Sequence, residues 1–209
     1  IAETASSSAS STSSRVRHPA TAAHEVTFLE RDAPWYAENR DMPKPPGART
    51  HLYTSVEALR VGHQRDVRDA DLVIVGSYVP DGIAVGEWVT ATASGVTAFY
   101  DIDTPVTLAK LSNGGADYVS RALIPRYDLY LSFTGGPTLE RLEREFGARM
   151  ARALYCSVDP AEYCPAVTEP EWDLGYLGTY SDDRQPSLTA LLLQPARMLN
   201  DRRFVVAGA

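Results

Sequence analysis

Two carboxylates, Asp101 and Asp103, stand at the end of the apolar run Val96-Thr97-Ala98-Phe99-Tyr100, and Thr104-Pro105 follow them. Carboxylates two apart can hold a divalent ion beside a nucleotide diphosphate, or one of them can act as a general base. On a strand, residues i and i+2 share a face, so both could ligate. The competing reading is structural: Asp101 ends the strand and Asp103 caps the helix that Thr104-Pro105 opens. We read Asp103 as the cap and Asp101 as the residue at the cleft. In open α/β sheets ligands sit beyond the carboxyl ends of the strands, which is where this run delivers Asp101.

Two further stretches carry chemistry. Ser132-Phe133-Thr134-Gly135-Gly136-Pro137 places two glycines between an expected strand and an expected helix. Backbone can approach a ligand closely there, and free amides attract anions or sugar hydroxyls; a tight turn without a ligand has the same signature. The spacing is not G-x-G-x-x-G, so it lends no support to a nicotinamide cofactor. Gly178-Thr179-Tyr180-Ser181 with Arg184 repeats the pattern later in the chain, with hydroxyls and a cation suited to a diphosphate, although these residues alone favour a plain loop. The histidines outside the first 23 residues, His24, His51 and His63, are scattered and form no metal-ligand motif. Ser132 and Ser157 lack the setting of a nucleophile elbow.

The elements needed to position these residues alternate between strand and helix. Strands are expected at Glu25–Leu29, Thr50–Thr54, Asp71–Gly76, Val96–Asp101, Tyr127–Phe133, Ala153–Cys156, Trp172–Leu177 and Arg203–Ala207. Helices are expected near Glu57–Arg68, Asp81–Ala93, Thr104–Leu111 and Pro137–Phe146, then in a segment after the Asn113-Gly114-Gly115 break to about Leu123, and from Pro186 onward with Leu188, Leu191 and Leu192 inward. Pro195 should kink that last helix. Pro137 stands at the first position of its helix, and Gly147 is placed for a left-handed cap. Ala33–Pro46, rich in proline and aromatics, reads as a loop. The alternation predicts a parallel, three-layer α/β fold, with a boundary near Val158–Glu169 between a first unit (24–168) and the start of a second (169–209). Residues 1–23, nearly all Ser, Thr and Ala over Thr4–Ser14, read as a disordered segment.

Composition excludes some partners. With 20 Lys and Arg against 27 Asp and Glu, the net charge of −7 supplies no basic field for nucleic acid. No apolar stretch is long enough for a transmembrane segment. Cys156 and Cys164 lack C-x-x-C spacing and read as reduced thiols, so the expected location is cytoplasmic.

Taken in order, HEVTFLERDAPWYA, DLVIVGSYVPDG, FYDIDTPVTLAKL, YDLYLSFTGGPTLERLEREFGA, LYCSVDP and WDLGYLGTYSDDRQPSL resemble bacterial glycosyltransferases of the GT-B type, in the CgeB-like or spore-maturation-like group. The resemblance covers about residues 24–209. It implies two Rossmann-like domains facing across a cleft, the first binding an acceptor and the second a nucleotide-sugar donor. Asp101, Asp103, Thr104 and the Thr134–Gly136 turn would line the acceptor side, with Asp101 as base. Gly178, Thr179 and Arg184 would approach the donor's diphosphate. No cofactor is implied beyond the nucleotide-sugar substrate, and GT-B enzymes generally need no metal on a D-x-D pair.

Such proteins open with a strand, a glycine loop and a helix before the HEVTFLE strand. No such strand is recognisable in 1–23, which points to a junction or shifted frame upstream of His24. Most of a donor domain is expected to be missing after Ala209, so transfer by this chain alone is not expected. The alternative reading is a non-catalytic Rossmann-like module that binds a ligand or partner, with self-association through an uncovered domain face. A metal-dependent transferase using Asp101 and Asp103 ranks third.

Overall fold

The computed structural model describes residues 2–6, 24–40, 44–45, 47–158, 160, 163–165, 168–178, 180–182 and 184–208; for 2–6, Tyr36, Glu38 and Asn39 only the backbone is described. Two compact units result, 1–157 and 158–209. Among the described residues no helix is long and apolar enough to cross a membrane.

Unit 1 is a seven-stranded sheet built from β1 (Ala2–Ser6), β2 (Glu25–Arg31), β3 (Ala48–Tyr53), β4 (Leu72–Gly76), β5 (Val96–Asp101), β6 (Leu129–Ser132) and β7 (Ala151–Ala153), in the order β3-β2-β1-β4-β5-β6-β7. The pairs β2–β3, β4–β5, β5–β6 and β6–β7 are parallel. The fold is therefore the expected Rossmann-like α/β architecture. Helices α1 (Pro34–Asn39), α2 (Val56–Asp69), α3 (Gly82–Thr92), α4 (Thr104–Ser112) and α5 (Pro137–Phe146) fall between the strands.

The core explains why the middle strands read so clearly. Val73 and Val75 of β4, Phe99 of β5 and Tyr130 of β6 are buried, with Val85 and Val89 of α3 and Leu108 of α4 packed in the same cluster. Phe99 is flanked by the rings of Tyr127 and Tyr130, with centroids 5.6 and 5.3 Å away. Helix α5 ends as its sequence dictates. Pro137 occupies its first turn, Gly147 caps it at φ 74°, and Leu142 and Phe146 form its buried face. Its exposed side carries the ion pairs Arg141–Glu145 and Arg144–Glu140.

Several expectations are corrected. Residues 2–6 are not without structure: they form β1, antiparallel to both β2 and β4. A short polar segment without apolar periodicity is held here by pairing on both sides, which satisfies the facing backbone groups of two strands at once. The remaining residues of the 1–23 call, together with Ile1, lie outside the described residues. Pro34–Asn39, expected as loop, is a helical turn that Pro34 opens. The segment 116–123, expected as helix, is instead irregular, with bends and a turn leading into a 3₁₀ turn at Ile124–Arg126. Its apolar residues Tyr118, Val119 and Leu123 are buried all the same. Helix α2 is interrupted at His63 (φ −125°, ψ 16°), next to Gly62.

Unit 2 contains β8 (Leu174–Leu177) and β9 (Phe204–Ala207), parallel and joined through α6 (Gln185–Leu188), a π-helical stretch Thr189–Leu193, and α7 (Gln194–Met198). The widened turn precedes Pro195, which has no N–H for an ordinary helical bond. It also turns the expected inward face: Leu192 is buried, whereas Leu191 is exposed.

Candidate functional site

At the carboxyl edge of unit 1, β5 delivers Asp101 into a sealed polar layer rather than to solvent. Its side chain is 0% exposed. Oδ2 accepts the Tyr130 hydroxyl at 2.6 Å, and Oδ1 accepts the Asp103 amide at 3.1 Å and the Thr107 hydroxyl at 2.9 Å. Burial raises the pKa of Asp101 above the ordinary carboxylate value, opposed by these hydrogen bonds, with Tyr130 foremost. Burial and the adjacent carboxylate push the Tyr130 hydroxyl up. This geometry corrects the assignment of Asp101 as base at the cleft. A base must reach the proton it takes, and the neighbouring strand and α4 cover this one.

Thr104 is also corrected. Its hydroxyl is buried, 2.8 Å from Ser132 Oγ. Ser132 Oγ in turn accepts the Thr134 amide at 3.0 Å and donates to the Thr134 carbonyl at 2.6 Å. Asp101, Thr104 and Ser132 therefore tie the β5–α4 turn to the β6–α5 turn. Their job is to fix the two loops that reach the surface.

On those loops, Asp103 is half-buried and Thr134, Gly135 and Gly136 line the β6–α5 turn. Asp103 takes the N-cap position, yet its carboxylate makes no capping bond. Oδ2 accepts the Tyr78 hydroxyl at 3.0 Å instead, and the Asp103 carbonyl accepts the amides of Val106 and Thr107. β5 ends at Asp101, so Asp103 lies beyond the strand and the two carboxylates do not share a strand face. Among the described residues no group of three or more His, Cys, Asp or Glu could hold a metal ion. His51 and His63 do meet, with ring centroids 5.2 Å apart, and His63 Nδ1 lies 2.8 Å from Asp66 Oδ2.

The residue missed from sequence is Tyr78. It follows the carboxyl end of β4 and adopts φ 64°, while Asp81 in the same loop adopts φ 57°. Two non-glycine residues in the left-handed region of one loop are strained, and such strain gathers at functional loops. Tyr78 packs on Tyr118 at 4.7 Å, and the Lys110 ammonium lies over both rings at 5.3 and 5.4 Å. Arg31, at the end of β2, pairs with Asp81 at 3.2 Å. Burial and the bond to Asp103 raise the pKa of Tyr78. Tyr78 lies two residues past the end of β4, as Asp103 lies two residues past the end of β5. Beyond β7, the Tyr155 hydroxyl rests against Gly135, in the space a side chain there would need.

In unit 2, Gly178 and Arg184 line one cavity of about 320 Å³, with Tyr176, Tyr180, Ser181 and Gly208 among the other walls. It lies at the carboxyl ends of β8 and β9, where an α/β unit presents a ligand. Gly208, at φ 132°, sits so close to Gly178 that any side chain would overlap the Gly178 carbonyl. Thr179 lies outside the described residues. Comparisons with family models, curated proteins and solved structures return no match to this chain.

Proposed function

We propose that the chain is the acceptor-side domain and the beginning of the donor domain of a GT-B type, CgeB-like glycosyltransferase, which moves a sugar from a nucleotide-sugar to an acceptor hydroxyl. The observation that carries this reading is the cavity of unit 2, which gathers Gly178 and Arg184 at the carboxyl ends of two parallel strands. A guanidinium beside closely approached backbone suits a diphosphate leaving group, whose developing charge it would stabilise. In unit 1 the Thr134–Gly136 turn offers backbone to acceptor hydroxyls. The reachable carboxylate at that edge is Asp103, which we assign as base in place of Asp101, with Tyr78 donating to it.

A thermal-shift series with UDP-, GDP-, ADP- and TDP-sugars tests this reading. One nucleotide class should raise the unfolding midpoint in proportion to the logarithm of its concentration, and Arg184→Ala should remove the effect. No shift with any of them would overturn the reading. Sealing of Asp101 favours the second reading, a non-catalytic module that binds a ligand without transfer. Donor-dependent release of free nucleotide, lost in Asp103→Asn, separates the two.

A further inference from the structure

The polarity of the carboxyl edge is inverted. Asp101 pairs with Ser132 in the β5–β6 register and Ser132 with Ala153 in β6–β7, and the two polar side chains at this level are fully buried. One residue further out, the level passes through Ile102, Phe133 and Leu154. Tyr78, turned out of the β4 register at φ 64°, reaches the neighbouring Asp103 through its hydroxyl. Backbone hydrogen bonds beyond the strands hold the register: Phe133 N to Asp101 O at 2.9 Å and Leu154 N to Ser132 O at 2.8 Å. These three large apolar residues are 47%, 41% and 42% exposed in strand order from Ile102 to Leu154.

Solvated strand ends carry polar residues outside and apolar residues inside. An exposed apolar row over a buried polar layer is the arrangement that calls for an explanation. We propose that the row is an acceptor subsite for a flat apolar or aromatic group, so that the acceptor is a phenol-like or fused-ring alcohol rather than a free sugar. The proposal rests on the transferase reading and names its substrate class. Three features on the page select this occupant. The row crosses three neighbouring strand ends, about 10 Å at the usual interstrand spacing, the length of a molecule of two fused rings. It crosses strand ends rather than following a free edge, so it offers no backbone ladder to an added strand. Groups that can orient a hydroxyl border it directly: Asp103 with Tyr78 on one side, and the Thr134–Gly136 turn under Tyr155 on the other.

Binding of methylumbelliferone to the full chain, followed by fluorescence anisotropy with methyl glucoside as the comparison, tests the proposal. Saturable binding of the phenol but not the glycoside is expected. Phe133→Ser and Ile102→Ser should each weaken it about tenfold, whereas Val61→Ser, at an exposed position on α2, should leave it unchanged. Circular dichroism confirms folding, and either row variant suffices for the comparison. No binding, or binding indifferent to both row substitutions, overturns the subsite. So does sedimentation showing a dimer that Phe133→Ser dissociates, because the row would then join two copies. A nucleotide-sugar shift without phenol binding defeats the subsite alone, and phenol binding without any nucleotide-sugar shift defeats the transferase reading alone.

Discussion

The Tyr130 hydroxyl donates a 2.6 Å hydrogen bond to Oδ2 of Asp101, across the β5–β6 boundary and out of reach of solvent. This bond makes Asp101 a positioning residue. Asp101→Asn keeps Oδ1 for the Asp103 amide and Thr107, and its amide can donate to Tyr130, so the fold should survive. Asp101→Ala leaves the Tyr130 hydroxyl and the Asp103 amide without an acceptor in a buried layer, a loss of about 3 kcal/mol on the cost of unsatisfied buried groups. Urea midpoints should rank Asn well above Ala. Equal loss in both variants would mean that the negative charge itself is required.

Gly86 of α3 gives a second test. A methyl group at Gly86 would overlap the Tyr127 hydroxyl and come within 2.7 Å of Leu123 Cδ2. That hydroxyl is buried with no hydrogen-bond partner among the described residues, so Tyr127→Phe removes an unsatisfied group and should be neutral or slightly stabilising. Gly86→Ala should destabilise by about 2 kcal/mol through overpacking. In the double variant part of this loss should return, with a coupling of about 1 kcal/mol, because the two changes share one contact. Strict additivity in denaturant melts would contradict the packing described.

These residues also show what was legible in the sequence. β4, β5 and β6 could be read because a buried parallel strand is a short apolar run bounded by polar residues, and α5 because Pro137 and Gly147 mark its ends. Residues 116–123 misled because Tyr118, Val119 and Leu123 have helix-like spacing, whereas burial under α3 and α4 comes from bends and a turn. Asp101 was placed at the right end of the right strand. Its cover comes from Tyr130, 29 residues later, and local pattern carries no information about that pairing. The strain at Tyr78 was hidden for the same reason. No residue-type rule predicts a left-handed tyrosine; it is imposed by what the loop must reach.

Adjacent glycines in the β6–α5 turn should respond differently. At Gly135 a methyl group would meet the end of the Tyr155 side chain, which is 62% exposed and free to swing away. Gly135→Ala should therefore change stability by less than about 0.5 kcal/mol. At Gly136 there is open space, but φ is 65° with ψ −143°, a region that side chains strongly disfavour. Gly136→Ala should cost about 1 to 3 kcal/mol despite meeting nothing. The reverse order in thermal melts would show that contact, not backbone conformation, governs this turn.

Asp128 sets a pH dependence of known sign. Its carboxylate accepts the amide and hydroxyl of Thr97, both at 2.9 Å, and pairs with Arg149 at 3.0 Å. The Thr97 amide is the largest of the influences that hold its pKa below the ordinary aspartate value, with Arg149 adding to it. A depressed folded value means that the unfolded chain binds the proton more readily. The stabilisation is thus present above the ordinary carboxylate value and is lost as pH falls through the depressed one. Asp128→Asn should destabilise the chain at neutral pH, and the gap from the unmodified protein should close as the solution is acidified below that range. Raising salt should narrow the gap only in part, because Arg149 is exposed and screened while the Thr97 bonds are local. Urea midpoints for the two proteins across the acid range measure this, and a gap that stays constant to low pH would show that the carboxylate's charge contributes nothing to holding β5 against the β6 end.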